Sequence, residues 1–147
     1  MTTFVQSPNS YCLGKNSIPH ITVCQFFSSE DSLDKIWEEA CSSVPNPIIC
    51  VHLNEVRNIS FDGQLYWVSL LPDRDSELQS IFSIISKIVK PIRIDEYDPH
   101  ITLFNYFPNK LNVEEILKTK ICIEDEFELV IGESDGAGQL ENILYKN

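Results

Sequence analysis

The chain has 147 residues, of which 43% are hydrophobic and 22% charged, and its formal net charge is −11. These values are typical of one soluble globular domain, here residues 1–147, that builds its core without disulfides or metal. The charge argues against an extended nucleic-acid footprint. Binding along a phosphate backbone needs a basic surface, whereas 11 Lys and Arg stand against 22 Asp and Glu.

The sequence carries no recognisable signal for secretion or membrane insertion. Its first residues lack the basic start and apolar core of a signal peptide, and no apolar run reaches bilayer length. We therefore expect a monomer in the cytoplasm with no membrane contact. Five cysteines, an odd number, form no Cys-x-x-Cys pair. This predicts reduced, mostly buried thiols rather than a disulfide framework or a zinc site.

In the first half of the chain, the pattern predicts a strand, a helix and a hairpin. The predicted elements are a strand at 20–27, a helix capped by Ser28 or Ser29 and ending before Pro45, a strand at 48–56 continuing toward Ile59, and a strand at 65–70. β-Branched and aromatic residues favour the first strand, with Pro19 at its mouth. The Asp62-Gly63 turn predicts that the last two strands form a hairpin.

In the second half, similar signals recur in a similar order. The predicted elements are a helix capped by Asp73 or Asp75 and running to Pro91, a strand at 100–107, a short helix from Asn112 to Leu117 with a capping box, a strand-like stretch at 121–131 interrupted by acids, and a closing strand at 143–145. The acids at 124–126 are most simply a solvated turn. Strand, helix and further strand thus occur twice, which predicts an α+β fold with two similar lobes.

One phrase of four residues occurs twice in the chain. Pro-His-Ile-Thr stands at residues 19–22 and again at residues 99–102, and the two copies hold two of the only three histidines. At average residue frequencies, a second exact copy in a chain of this length is roughly a one-in-a-thousand coincidence. The third histidine, His52, lies in an apolar strand and is given a structural role. The repeat predicts a paired site.

Strand geometry gives each copy of the phrase two faces. Residues i and i+2 share a face, so His20 and Thr22 point one way while Ile21 and Val23 point the other, and the second copy behaves likewise. Two imidazoles and two hydroxyls around one cleft suit phosphodiester chemistry. One histidine takes a proton from the attacking oxygen, the other gives a proton to the leaving oxygen, and the hydroxyls stabilise the phosphate charge. No carboxylate is spaced to complete a metal-ligand set.

These segments resemble the two H-x-T/S motifs of the 2H phosphoesterase superfamily, which includes 2′,3′-cyclic phosphodiesterases and 2′-5′ RNA-ligase-like proteins. The hairpin through Trp67, the helix before the second motif and the closing strands also follow the family's order. The resemblance implies a bilobal α+β fold, with two pseudo-twofold-related antiparallel sheets, helices outside and a central cleft. It also implies cofactor-free and metal-independent catalysis, in which His20 and His100 are the acid–base pair and Thr22 and Thr102 bind the phosphate.

The chain departs from these relatives before the first motif. Relatives commonly place a strand and a full helix there, whereas 19 residues precede His20. We therefore expect a trimmed first lobe and a more open cleft. Candidate substrate-binding residues are Tyr11 and Trp67, whose rings can stack on a base, Tyr106, which regular strand geometry places on the face of His100, and Lys15, a cation near the first motif. Packing roles for the aromatic residues are the alternative.

The sequence leaves three functions open. The first is cleavage of a nucleotide phosphodiester, either a 2′,3′-cyclic phosphate or the end of an oligonucleotide. The second is degradation of a signalling molecule, such as a 2′-5′ oligoadenylate or a cyclic oligonucleotide. The third is a nucleotide-binding module without catalysis, against which the intact His and Thr of both motifs argue. In all three the partner is a small nucleotide or short oligonucleotide, and the sequence does not assign acid and base between the histidines.

Overall fold

The fold combines helices with antiparallel strands, so the predicted α+β class is confirmed. The computed structural model describes residue 13 and residues 17–74, 77–93, 96–107, 114–136 and 138–147, with the backbone alone at 116. The elements are, in chain order, α1 (Glu30–Ser43), β1 (Ile48–Ser60), β2 (Tyr66–Pro72), α2 (Leu78–Ile88), β3 (Ile101–Tyr106), α3 (Glu114–Lys118), β4 (Ile123–Glu128), β5 (Val130–Ser134) and β6 (Leu140–Lys146).

The main sheet has four antiparallel strands in the order β3-β2-β1-β4. Strands β1 and β2 form the predicted hairpin. Its turn is fixed by Gly63, whose φ of 74° suits glycine, and by the Asp62 carboxylate, which accepts backbone N–H bonds from Gln64 and Leu65. Strands β5 and β6 pair separately in a two-stranded sheet. Strands β1 and β2 are central, so each has a paired strand on both sides.

The core lies between one face of the main sheet and the two longer helices. On β1 the buried residues alternate with exposed ones, so Ile49, Val51 and Leu53 point to the same side. Leu78 and Ile81 of α2 join them in one cluster, as does Ala40 of α1. The residues between them on each strand therefore point away from the helices. That opposite side of the main sheet is here called the outer face.

Two helix starts test the predicted capping residues. Ser29 stands at the N-cap of α1, as predicted, although its hydroxyl pairs with that of Ser32 instead of a backbone N–H. The prediction that Asp73 caps α2 is wrong, because α2 begins at Leu78 after Glu77. The backbone N–H of Asp73 instead donates to the carbonyl of His52. Asp75 and Asn112, the other predicted caps, lie outside the described residues.

No helix in the described part of the chain has the length and apolarity that crossing a bilayer would need.

The stretch at 121–131 is two strands, so the prediction of one is wrong. The chain breaks at Leu129, whose backbone N–H donates to the carbonyl of Pro47 at 2.7 Å and whose side chain packs against the core. That bond continues the β1–β4 register by one position beyond Ile48 and Glu128, and from Val130 onward the chain pairs with β6 instead. The acids at 124–126 were predicted as a turn, but they lie within β4 and pair with β1. Glutamates at exposed positions of an edge strand remain solvated without a turn.

The first motif does not form the strand predicted at 20–27. Its backbone partners lie on different parts of the chain: the N–H of Ile18 donates to Leu140, and the carbonyl of Gln25 accepts from Ile92. The chain bends at Val23 between these contacts, so no continuous ladder forms. Ile21 and Val23 nevertheless pack against the same core cluster as Ile101 and Leu103 of the second motif.

The cysteine prediction is wrong for two of the described residues. Cys50 and Cys122 are exposed, whereas Cys24 and Cys41 are half-buried. Cys50 is exposed although its strand is apolar, because it occupies an outward position of the alternating β1 pattern. All four described cysteines are free thiols, and Cys12 lies outside the described residues.

Candidate active site

The second motif places its threonine in a polar row that crosses three strands. Thr102 of β3 lies opposite Ser69 of β2, and Ser69 lies opposite Arg57 of β1. The neighbouring row, Val56 with Leu70 and Ile101, belongs to the core. Since successive strand residues point to opposite faces, the polar row belongs to the outer face. Ser69 is only 2% exposed, so this row lies in a sheltered part of the surface.

His100 stands at the entrance of β3, beside an ion pair. Its Nδ1 lies 2.8 Å from the carbonyl oxygen of Asp98 and 3.4 Å from that residue's Oδ2. The Asp98 carboxylate in turn accepts two hydrogen bonds from the Arg57 guanidinium, both at 2.7 Å. A carbonyl oxygen only accepts, so Nδ1 carries the proton and the neutral ring is left with Nε2 as its acceptor. This arrangement presents Nε2 as a base.

The charges of this group follow from its surroundings. The hydrogen bonds from Arg57 hold the pKa of Asp98 below its ordinary value, so the carboxylate is ionised near neutral pH. Burial lowers the pKa of His100, and the charges of Arg57 and Arg93 lower it further, although the Asp98 carbonyl and carboxylate oppose the change. Acting together, these effects favour the neutral imidazole near pH 7. A neutral imidazole is the form that accepts a proton.

The first motif holds its histidine ring in the same way. The Nδ1 of His20 lies 2.6 Å from the carbonyl oxygen of Ile18, two residues earlier, just as His100 bonds Asp98. The shared cause is the proline between them. Proline fixes its own φ and confines the preceding residue to extended geometry, so Pro19 and Pro99 direct that residue's carbonyl to the same place. Among the described residues neither Nε2 has a hydrogen-bond partner, so both rings can present Nε2 to a substrate.

The first motif lines a broad groove. His20 and Thr22 belong to this groove, which is also bounded by α1, α2, β5 and β6. His100 and Thr102 are not among the groove-lining residues. Within the described chain, no hydrogen bond or ion pair joins one motif to the other.

Arg93 connects the surroundings of the two motifs. Its side chain lines the groove together with His20, and its charge is one of those that lower the pKa of His100. Nearby, Ile92 donates to the carbonyl of Gln25, so the segment before the second motif is tied to the segment of the first. An exposed guanidinium in this position is suited to bind a phosphate.

The structure describes two of the four predicted substrate-binding residues, Trp67 and Tyr106, and places them on opposite faces of the main sheet. Trp67 lies on the outer face, two positions before Ser69 on β2. The prediction for Tyr106 is wrong, because Leu103 is an extra residue in the β2–β3 pairing and this β-bulge reverses the facing of everything after it. Tyr106 is 6% exposed and packs with Val68 on the helix side. Tyr11 and Lys15 lie outside the described residues.

Several residues of this site were not singled out from the sequence. Asn105 takes the place predicted for Tyr106: it lies opposite Trp67, is 7% exposed, and its Oδ1 has no hydrogen-bond partner within the described chain. Ser69 shares strand parity with Trp67, a signal available in the sequence. The pairing of Arg57 with Asp98 needed the strand register, which the sequence does not contain. Among the described residues, a cysteine, a histidine and a glutamate that could together hold a metal ion lie elsewhere on the sheet, at residues 50, 52 and 124.

Comparisons with known proteins give little beyond this geometry. No protein-family model matches the chain, and no curated protein matches it. Among solved structures, Usb1 of Kluyveromyces marxianus is similar with a TM-score of 0.47 and 15% sequence identity. The similarity covers 67% of this chain, which spans about half, 53%, of the length of that one. A likeness at this level does not establish a common fold, so the family resemblance rests on the two His-x-Thr motifs.

Proposed function

We propose that this protein is a metal-independent phosphodiesterase of the 2H type. Its substrate is a nucleotide phosphodiester, either a 2′,3′-cyclic phosphate or a linkage at the end of an oligonucleotide. The observation that carries the proposal is the shared ring geometry of His20 and His100. Each imidazole donates from Nδ1 to the carbonyl two residues earlier, its Nε2 has no partner within the described part of the chain, and each has a threonine two residues later. Two such groups are what general acid–base cleavage of a phosphodiester requires.

In this mechanism His100 is the base, since its surroundings favour the neutral ring. Its Nε2 takes the proton from the attacking water or ribose hydroxyl as that oxygen bonds to phosphorus. The bond from phosphorus to the leaving oxygen breaks, and the leaving oxygen receives the Nε2 proton of His20, which enters the reaction as the doubly protonated imidazolium. The hydroxyls of Thr22 and Thr102 donate to the non-bridging oxygens, where negative charge increases. Arg93 adds a positive charge to the same phosphate.

The proposal requires the two motifs to face each other across one cleft. That is the bilobal, pseudo-twofold arrangement that the resemblance implies, and it is part of the proposal. Two features support it. The apolar residues of both motifs pack against one core cluster, and Arg93 influences the surroundings of both histidines. The first motif would act without a strand of its own, because its proline alone orients the ring.

The substrate we propose is short. The net charge of −11 disfavours the long phosphate backbone of RNA, whereas a local cation such as Arg93 suffices for one phosphate. Trp67 offers an aromatic face for one base and lies on the same face as Ser69 and Thr102. The proposal also includes a monomer that acts in the cytoplasm as a single domain.

The test is a substrate panel analysed by mass spectrometry. It contains 2′,3′-cyclic mononucleotides, 2′-5′ and 3′-5′ oligonucleotides and cyclic oligonucleotides, each with and without EDTA. We expect turnover of at least one class that EDTA does not reduce. The control is the double variant His20→Ala/His100→Ala, purified identically, which removes contaminating nuclease from the comparison. Turnover restricted to 2′-5′ or cyclic oligonucleotides would assign the protein to signal degradation.

Two outcomes would contradict the proposal. Binding of nucleotides with no turnover above the double variant would make the protein a nucleotide-binding module. Turnover that EDTA abolishes and zinc or manganese restores, while the melting temperature stays unchanged, would require a metal-dependent mechanism.

A further inference from the structure

A second cluster of reactive side chains lies on the outer face, between the central strand β1 and the edge strand β4. Cys50 and His52 are two positions apart on β1, so both point outward while Val51 between them is buried. Glu124 of β4 lies directly opposite His52 in the ladder, and Glu126 lies directly opposite Cys50. The four side chains therefore occupy one compact square of the sheet surface.

The donor atoms of this square are spaced as metal ligands are. Cys50 Sγ lies 3.3 Å from Glu124 Oε1, and His52 Nδ1 lies 3.6 Å from Glu124 Oε2. One ligand atom from each of these three residues lies within 4.8 Å of the others. In a tetrahedral zinc site, metal–ligand bonds of about 2.0–2.3 Å place neighbouring ligand atoms roughly 3.3–3.8 Å apart. Small side-chain rotations would bring the donors onto one ion while the backbone stays in place.

The fourth position also has a candidate ligand. Residues directly opposite in an antiparallel pair have Cβ atoms about 4.5–5.5 Å apart, which brings the Glu126 carboxylate within reach of an ion bound at Cys50. The side chains of His52 and Glu124 are 52% and 63% exposed, so an ion can enter from solvent. The carboxylates of 124–126 make this part of an already acidic protein attractive to cations.

A zinc ion would bind Cys50 as the thiolate, so the proton that the thiol donates to Glu124 would be released on binding.

We propose that Cys50, His52, Glu124 and Glu126 bind a zinc ion on the outer face of the β1–β4 pair. One sulfur, one imidazole nitrogen and carboxylate oxygens form a set that suits zinc and not magnesium or calcium, which prefer oxygen ligands alone. The site joins the edge strand β4 to the central strand β1 on the outer face, opposite the face where Ile49 and Phe127 join the core. Its role is structural. It stabilises the β4 edge of the main sheet, and the polar row lies on the other three strands of the same sheet.

The experiment measures zinc and cobalt binding by the full chain, treated with EDTA and a phosphine reductant and then desalted. We expect one equivalent of zinc bound in a competition titration, and a melting temperature raised by about 5 °C at zinc concentrations 100-fold above the dissociation constant. Cobalt should give the visible bands of a tetrahedral ion together with a thiolate charge-transfer band. Magnesium and calcium at the same concentrations should produce neither effect.

Variants test whether the ion is held by these residues. Cys50→Ser, His52→Gln and Glu124→Gln should each weaken zinc binding at least ~10-fold, and Cys50→Ser should remove the charge-transfer band. The matched control is Cys122→Ser, which removes an exposed thiol two residues before Glu124 but outside the cluster. Circular dichroism of each metal-free variant verifies its fold.

The proposal is overturned if the chain binds no stoichiometric zinc, if Cys50→Ser binds as tightly as the parent, or if Cys122→Ser causes the larger loss. These readouts involve no substrate, so they succeed or fail independently of the proposed phosphodiesterase activity.

Discussion

In the second Pro-His-Ile-Thr segment, the histidine immediately precedes strand β3 and has an ion pair beside it. In the first segment, the same four residues belong to no strand and line a groove. The ring hydrogen bond is nevertheless the same in both, from Nδ1 to the carbonyl two residues earlier. What differs is the residue that supplies this carbonyl, Ile18 in the first segment and Asp98 in the second. A side-chain carboxylate therefore accompanies only His100.

The comparison separates two levels of control over a histidine. The orientation and tautomer of the ring follow from local sequence, because the preceding proline restricts the backbone in both segments. The charge state follows from tertiary structure, because Arg57 and Asp98 reach His100 through strand pairing and His20 has no equivalent pair among the described residues. Similar ring geometry with different electrostatics is what an acid and a base need.

The strongest test of this comparison removes each ring separately. His20→Ala and His100→Ala should each reduce turnover at least ~100-fold, since general acid–base groups typically contribute 10²–10⁴. Steady-state kinetics on the best substrate of the panel measures the loss, and thermal melting verifies the fold. The turnover of the double variant should be about equal to that of the less active single variant, because the two rings act on one transition state. Full activity in either single variant would remove that histidine from the site.

The threonines provide a second and smaller test. Thr22→Val and Thr102→Val keep the shape of the side chain and remove the hydroxyl, so each should lower kcat about 10-fold or more with little change in melting temperature. Thr→Ser at the same positions should restore most of the activity. Thr119→Val is the matched control, since that exposed hydroxyl bonds only its own helix, at the carbonyl of Glu115. Equal effects of the valine substitutions at 22, 102 and 119 would remove the phosphate-binding role.

Local signals predicted the elements that depend on neighbours in sequence. The Asp62-Gly63 turn defined the hairpin, and β-branched and aromatic residues located β3. Strand alternation also set Ile101 on the face opposite His100 and Thr102, and it lies in the core. These predictions hold because turn geometry and side-chain alternation act within a few residues.

Tertiary pairing decided what the sequence did not predict. The bulge at Leu103 reversed the facing of Tyr106 and brought Asn105 into its place, and no local pattern marks that extra residue. The strand predicted at 20–27 is absent: the segment is tied at Gln25 to Ile92, and just before it Ile18 bonds Leu140, so its two ends are held by different parts of the chain. The zinc ligands that we propose lie on strands 74 residues apart, so only the register of β1 with β4 brings them together.

The ion pair at His100 gives the smallest and most discriminating prediction. The Asp98 carboxylate raises the pKa of His100 and the Arg57 charge lowers it. Asp98→Asn should therefore lower the pKa of the base, and the acid limb of the kcat/KM profile should move to lower pH. Arg57→Met should move the same limb to higher pH. The protonated His100 ring loses a repelling positive charge, and the Asp98 carboxylate no longer divides its attraction between Arg57 and His100, so the pKa of His100 rises. Both losses at the optimum should be about 10-fold or less.

The control for these shifts is the exposed helical pair of Glu114 and Lys118, whose Glu114→Gln and Lys118→Met variants should leave both limbs in place. Profiles are measured as kcat/KM, since that ratio reports groups of the free enzyme. Opposite movements of the acid limb would support His100 as the base. Movements confined to the alkaline limb would reverse the two roles, because an acid must be protonated to act. Movements of one sign in both variants would mean that the ion pair acts on the fold of the site and not on the charge of its histidine.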